Sequence, residues 1–169
     1  MELDVINILN FKNIVNIRFN NILEGFDNYN YIELSPINID YDNEENFIKT
    51  LKEFYRINEG HLIVDFYKNK LNDKSIKYIK SNLSKEDNEL FDKVLNLTNY
   101  KEDYYKINNE IYIDLLTKLC TRELFFITFY FYKDEITVWG NYNMKFPLFY
   151  CEDTNINEYI RISKINKLY

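Results

Sequence analysis

The side chains that could carry acid–base or nucleophilic chemistry are few: His61 is the sole histidine, and Cys120 and Cys151 are the only cysteines. His61 stands where a helical stretch gives way to a strand, a place for a surface or capping side chain. A Cys–His nucleophile would need His61 beside one of the cysteines, and no spacing in the chain brings them together. Gly25, Gly60 and Gly140 are isolated, so no glycine-rich loop can cradle a phosphate. Two cysteines and one histidine without paired spacing do not make a zinc site. Asp40, Asp42 and Glu44 alternate like the first ligands of a calcium loop. The sixth position of such a loop turns on glycine but here is Glu45, and the twelfth is Leu51 in place of a bidentate carboxylate. No catalytic residue, metal ligand or cofactor is therefore assigned, and the chain is expected not to be an enzyme. A carboxylate pair serving a glycosidase or a metal-dependent phosphotransfer site ranks third, below two binding roles.

What remains is a surface signal. Asp27, Tyr29, Tyr31, Asp40, Tyr41, Asp42, Glu44 and Glu45 crowd acids and tyrosines into one short part of the chain. Tyrosine offers large contact area at low entropic cost, and surface carboxylates steer a basic partner. The net charge is −6. Residues 1–60 hold 11 acidic and 5 basic side chains, whereas residues 61–120 hold 10 of each and residues 121–169 hold 6 of each. The excess thus lies in the first third. Asp42 and Glu45 can cap the helix that follows, which leaves Asp27, Asp40 and Glu44 without an evident structural role. An acidic chain repels phosphate backbones and anionic lipid, so neither direct nucleic-acid binding nor membrane binding is expected. A basic protein is the charge-compatible partner, and the oligomeric state is left open.

These residues must be held by a fold, and the stretch that organises it runs from Leu124 to Tyr150. From Leu124 to Tyr132 every residue but Thr128 is apolar or aromatic, which predicts an interior antiparallel strand. Phe125, Ile127, Phe129 and Phe131 would face one side, and Phe126, Tyr130 and Tyr132 the other. Lys133-Asp134-Glu135 reads as a turn, and Ile136, Val138 and Tyr142 then alternate with polar neighbours. Gly140 suggests a bulge, and Pro147 places the third run, Phe146 to Tyr150, at a sheet edge or at the start of a strand. Upstream, Leu3 to Phe19 reads as a strand, or as a hairpin turning near Lys12-Asn13. Phe26 to Tyr31 reads as a loop leading into a short strand at Ile32 to Leu34. Phe47, Ile48, Leu51, Phe54 and Tyr55 predict a helix from about Asn43 to Ile57, capped by Asp42 and stopped by Asn58-Glu59-Gly60. His61 to Tyr67 predicts a strand. Helices open at Asn72 or Asp73, at Ser84, and at Asn108 or Asn109, with Tyr100 to Lys106 a charged aromatic connection. Asn155 to Tyr169 fits helix or strand and is taken as helix. The expected fold is α+β: one domain over residues 1–169, a mainly antiparallel sheet with a C-terminal three-strand meander (about 124–150), packed by three to four helices.

Alanine and glutamine are absent from the 169 residues, so helices must rest on buried faces and caps more than on intrinsic propensity. Met1-Glu2-Leu3-Asp4 is acidic where a secretory signal is basic, and no long apolar run follows, so a cytoplasmic protein with reduced cysteines is expected. The acidic Tyr/Asp/Glu segment Asp27 to Glu45, the α+β layout and the aromatic meander LFFITFYFYKDEITVWGNY together resemble, at the level of class, the small acidic immunity proteins of bacterial toxin systems such as contact-dependent growth inhibition. That resemblance implies binding and neutralisation of a cognate basic toxin domain, often a nuclease. The alternative is an adaptor or phage-encoded protein that binds another host protein.

Overall fold

The computed structural model describes residues 2–38, 42–97 and 102–169. Its strands are β1 (Leu3–Ile6), β2 (Asn30–Leu34), β3 (Leu62–Asp65), β4 (Tyr104–Ile107), β5 (Thr128–Phe131), β6 (Ile136–Trp139) and β7 (Phe146–Tyr150). They form one sheet in the order β1-β4-β3-β5-β6-β7-β2, and every neighbouring pair is antiparallel. The helices are α1 (Ile8–Ile14), α2 (Ile22–Asn28), α3 (Asn43–Ile57), α4 (Asp73–Ser81), α5 (Lys85–Asn96), α6 (Ile111–Thr121) and α7 (Asn157–Ile165). The fold is α+β, with the meander β5-β6-β7 inside the sheet. Among the described residues no helix is long and apolar enough to cross a membrane.

Strand alternation sorts the core into two faces. Leu62, Val64, Phe129, Phe131, Ile136, Val138 and Leu148 point one way and are buried with Phe47, Leu51 and Phe54 of α3, Phe91 of α5, Leu115 and Leu119 of α6, and Tyr159 of α7. Each fully buried Leu or Phe of this layer contributes about 1.5–3 kcal/mol. The opposite face is more polar. Ile63 and Tyr130, paired across β3 and β5, are covered by Phe11 and Val15 from the N-terminal segment. Phe11 stacks on Tyr104 with ring centroids 3.7 Å apart. Thr137 donates to the Ile17 carbonyl at 2.7 Å, so the cover is also hydrogen-bonded.

Asp65 is the costly residue of that face. It is buried, accepting from the Thr128 N–H at 2.7 Å and from the Tyr130 hydroxyl at 3.3 Å. Burial pushes its carboxyl up to about 6, with the hydrogen bonds from Thr128 and Tyr130 pulling the other way. A raised folded-state value means that this group's stabilisation is complete below its ordinary range, near 3.8, and is lost as pH rises through about 6. Asp65→Asn is expected to raise stability at pH ~7.5 by on the order of 2 kcal/mol and to flatten the profile between pH ~5 and ~7.5. Denaturant melts at the two pH values check this. A variant less stable at both would show that the charge is not the cost.

Several expectations are corrected. The first strand stops at Ile6, because the Asn7 side chain accepts from the Asn10 N–H and starts α1; Lys12-Asn13 lies in that helix and turns no hairpin. Phe26 to Asn28 is likewise helical, since Asn21 caps α2, and β2 begins at Asn30, ahead of Ile32. Tyr104–Ile107, read as a connection, is an interior strand between β1 and β3; Tyr100 and Lys101 lie outside the described residues. β5 is shorter than the run from Leu124 to Tyr132. Leu124 and Phe125 donate back to the Leu119 carbonyl at 2.9 and 3.2 Å, so the end of α6 uses them first. Of the two readings of Pro147, the start of a strand holds and the sheet edge does not: β7 begins at Phe146 and lies between β6 and β2. Pro147 sits one residue beyond the last β7 position paired with β6 and opposite Glu33 of β2. Gly140 is a close approach between α6 and the meander, and its N–H donates to the Ile127 carbonyl at 2.9 Å.

Helix α3 keeps its expected bounds, but the Asp42 side chain makes no cap hydrogen bond. α3, α6 and α7 all end in the same way. Glu59, Glu123 and Lys167 take left-handed φ values of 53°, 55° and 60° just past each helix, and the next N–H reaches back to Tyr55, Leu119 and Ser163. A chain with three glycines puts charged residues where glycine is usual.

Candidate functional site: an acidic end of the sheet

In an antiparallel sheet, the β5–β6 turn, the exit of β7 and the start of β2 lie at one end. In this chain all three are acidic. The turn carries Asp134 and Glu135, the exit carries Glu152 and Asp153, Asp27 precedes β2, and α7 adds Glu158 from its first turn.

Two adjoining clefts open there and share Cys151. One, of about 650 Å³, is lined by Asp134, Glu135, Asp153 and Glu158 over a floor that includes Ile57 and Tyr159. The other, of about 500 Å³, is lined by Asp27, Tyr29 and Glu152 beside Phe26. Six carboxylates and one lysine, Lys133, face the pair of clefts. Lys133 is already paired with Glu59 at 2.9 Å, and nearby Arg161 with Glu158. The carboxylates that do have partners are held mostly by neutral donors. The Tyr159 hydroxyl donates to the Asp134 carboxylate at 2.8 Å and the Asn16 amide donates to the Glu135 carboxylate; the turn itself is held through the Asp134 backbone N–H, which donates to the Asn58 side chain at 3.1 Å. Neutral donors fix the orientation of a carboxylate without cancelling its charge. Among the described residues, Asp27, Glu152 and Asp153 make no ion pair or side-chain hydrogen bond.

The same field acts on Cys151. Burial, then Glu135 and Asp153, push its thiol up, away from the thiolate a nucleophile needs. Cys120 is fully buried and is also pushed up by burial. His61 rests its Nδ1 2.8 Å from the Asn58 carbonyl and packs edge-on against Tyr132. Among the described residues no group of three or more His, Cys, Asp or Glu side chains is arranged to hold a metal ion. The arrangement is suited to attracting ammonium and guanidinium groups.

The structure divides the acidic segment expected from sequence. Asp27 and Tyr29 line the clefts, and the Tyr29 hydroxyl donates to the Arg18 carbonyl at 3.2 Å. Tyr31 is half exposed on β2 and packs against Phe26, with ring centroids 4.8 Å apart. Asp42, Glu44 and Glu45 lie beyond the other end of β2, at the start of α3. Asp40 and Tyr41 fall outside the described residues. Glu44 does have a structural role. It grips Arg122 through two hydrogen bonds of 2.7 and 2.8 Å and accepts from Thr121 at 2.9 Å, tying α3 to the end of α6. Arg122 and Thr121 hold its carboxyl below the usual range against the upward pull of burial, the largest single influence. Glu45 pairs loosely with Lys49. Glu135, Glu152, Asp153 and Glu158 do not stand out in the sequence, because charge counted in linear windows averages to zero over residues 121–169. The meander itself held the missing signal, since it sends the Lys133-Asp134-Glu135 turn and the Cys151-Glu152-Asp153 exit to one end.

No family model matches the chain, and no curated protein or solved structure matches it either.

Proposed function

We propose that the chain is a non-catalytic binding protein whose acidic sheet end docks a basic protein, in the manner of an immunity protein that neutralises a cognate toxin domain. One observation supports this above others: six carboxylates against one already-paired lysine around two adjoining clefts. Such a concave field raises encounter rates with cationic partners, and Phe26, Tyr29 and Tyr31 supply aromatic contact area beside it. Blocking would follow from occupation: a basic toxin surface built to hold an anionic substrate is covered by fixed carboxylates instead.

Growth of cells producing a basic toxin domain tests the reading directly. Co-production of this chain is expected to restore growth, and a variant carrying Asp27→Lys, Glu152→Lys and Asp153→Lys is expected not to. Equal protection by that variant at equal abundance would remove the acidic end from the interface. Failure of the parent to bind any basic domain would count against the immunity role itself.

A further inference from the structure

β2 is the last strand of the sheet, and its register shows which of its backbone groups are spare. Opposed residues of an antiparallel pair alternate between those that exchange N–H···O=C bonds and those that turn these groups the other way. Glu33 stands opposite Pro147, which has no N–H, so that pair is of the second kind. Asn30, Ile32 and Leu34 therefore bond to β7, and Tyr31 and Glu33 turn both N–H and C=O outward. The residues that follow keep this alternation: the Ser35 and Ile37 N–H groups also point away from β7 and donate to the Leu168 and Lys167 carbonyls at 2.9 and 3.0 Å. Between that C-terminal segment and the acidic end of the sheet, the N–H and C=O groups of Tyr31 and Glu33, both exposed residues, bond to nothing else among the described residues.

We propose, on the reading that the acidic sheet end docks a basic protein, that this edge takes an extended segment of that protein as a further antiparallel strand, with lysine or arginine at every second position. Leu168 closes the edge at Ser35, whereas the other end of β2 opens into the cleft lined by Asp27, Tyr29 and Glu152. The incoming strand therefore starts opposite Glu33 and runs past Tyr31 into the cleft. Its residues opposite Glu33 and Tyr31 form the hydrogen-bonded pairs, and the residue between them faces Ile32, where an apolar side chain fits. Opposed side chains share a face, so the alternate positions meet the Glu33 carboxylate, then the Tyr31 ring, then the cleft; a basic side chain suits each. Main-chain bonds supply the hold, and Glu33, which makes no ion pair among the described residues, selects by charge. A second copy of this chain fits poorly. In the two-fold pairing centred on Ile32, Tyr29 of one copy falls opposite Ser35 of the other, whose N–H Leu168 already holds, and two chains of net charge −6 meet. The other edge of the sheet, β1, has mixed charge, with Asp4 opposite Lys106 and Glu2 paired to Lys93, and selects no partner in this way.

Nuclear magnetic resonance titration of the full chain with acetyl-Arg-Val-Arg-Val-Arg-amide tests it, beside two forms of that peptide with the same charge. One is N-methylated at its first and third residues, whose N–H groups would face β2, and the other at its second and fourth, whose N–H groups would face away. In the free protein the Tyr31 and Glu33 amides are expected to exchange with water much faster than those of Ile32 and Leu34. The unmethylated peptide is expected to bind with a Kd of about 1 mM and to slow exchange at Tyr31 and Glu33. Methylation at the first and third residues should weaken binding about tenfold, and methylation at the second and fourth by less than about threefold. Glu33→Gln, an exposed change, should weaken the unmethylated peptide about threefold at low salt. Equal binding of all three peptides, with shifts confined to the clefts, would overturn the strand pairing and leave the acidic end as the docking site. Slow exchange at Tyr31 and Glu33 in the free protein would mean that the edge is already closed, by a second copy if the chain sediments as a dimer, and would overturn it too. No shift with the unmethylated peptide would also overturn it, while rescue of growth judges the docking role separately.

Discussion

Replacing Asp27, Glu152 and Asp153 by lysine is expected to slow association with a basic partner at least a hundredfold at low salt. The three changes take the net charge from −6 to zero, and all three reverse at one end of the sheet. None of these side chains is hydrogen-bonded or ion-paired among the described residues, so the fold loses nothing that can be traced to them. Steered association depends on the local field, and that field is screened within about 8 Å at physiological ionic strength. The gap between variant and parent should therefore narrow to within about tenfold as salt is raised. Placing the same charge change at Asp73, Glu86 and Glu89, on α4 and α5, should slow association by less than tenfold, because those helices lie away from the clefts. Stopped-flow rates for the two triple variants across a salt series provide the comparison. If both slow equally, net charge is responsible and the clefts are not.

Gly140→Ala is expected to be among the most damaging single-methyl additions in the molecule. A Cβ built there would lie 2.5 Å from the Cys120 Sγ and 2.9 Å from the Ile127 carbonyl oxygen. Cys120 is fully buried on α6, and Ile127 accepts the Gly140 N–H, so neither neighbour can withdraw without moving α6 or the meander. Overpacking of this kind costs about 3 kcal/mol, a large share of a total stability of roughly 5–15 kcal/mol. Cys120→Ala removes the nearest atom and should recover part of the loss in the double variant, leaving the clash with Ile127. A thermal melt of the four-member cycle reads the coupling. An unchanged midpoint for Gly140→Ala would mean that α6 and the meander are not in this contact.

The parts of the fold that can be read from sequence are those where one physical signal acts alone. The apolar face from Phe47 to Tyr55 and the stop at Gly60 define α3 to the residue, and the alternation around Val64 separates the two faces of β3. The pattern misleads where a side chain outcompetes it. Asn7 and Asn21 turn alternating or polar stretches into short helices by capping them, and each helix buries little, α1 only Phe11. Tyr104–Ile107 hides as a strand because its two faces, Tyr104 and Lys106 against Tyr105 and Ile107, carry mixed chemistry. For the site, Asp27 and Tyr29 are visible as part of an acidic run. Their companions Glu135, Glu152, Asp153 and Glu158 come from distant positions, brought together only by strand order. The role of Glu44 is hidden for a similar reason: its partner Arg122 lies 78 residues away.

Hydrogen–deuterium exchange of the chain, free and bound to a basic domain of the kind the proposed function calls for, tests the placement of the interface most directly. Slowed exchange is expected in residues 27–30, 133–135 and 151–158, with α4 unchanged. Protection confined to the start of α3 around Asp42 to Glu45, or to the lysine-bearing α4, with the acidic sheet end exchanging as in the free protein, would contradict it.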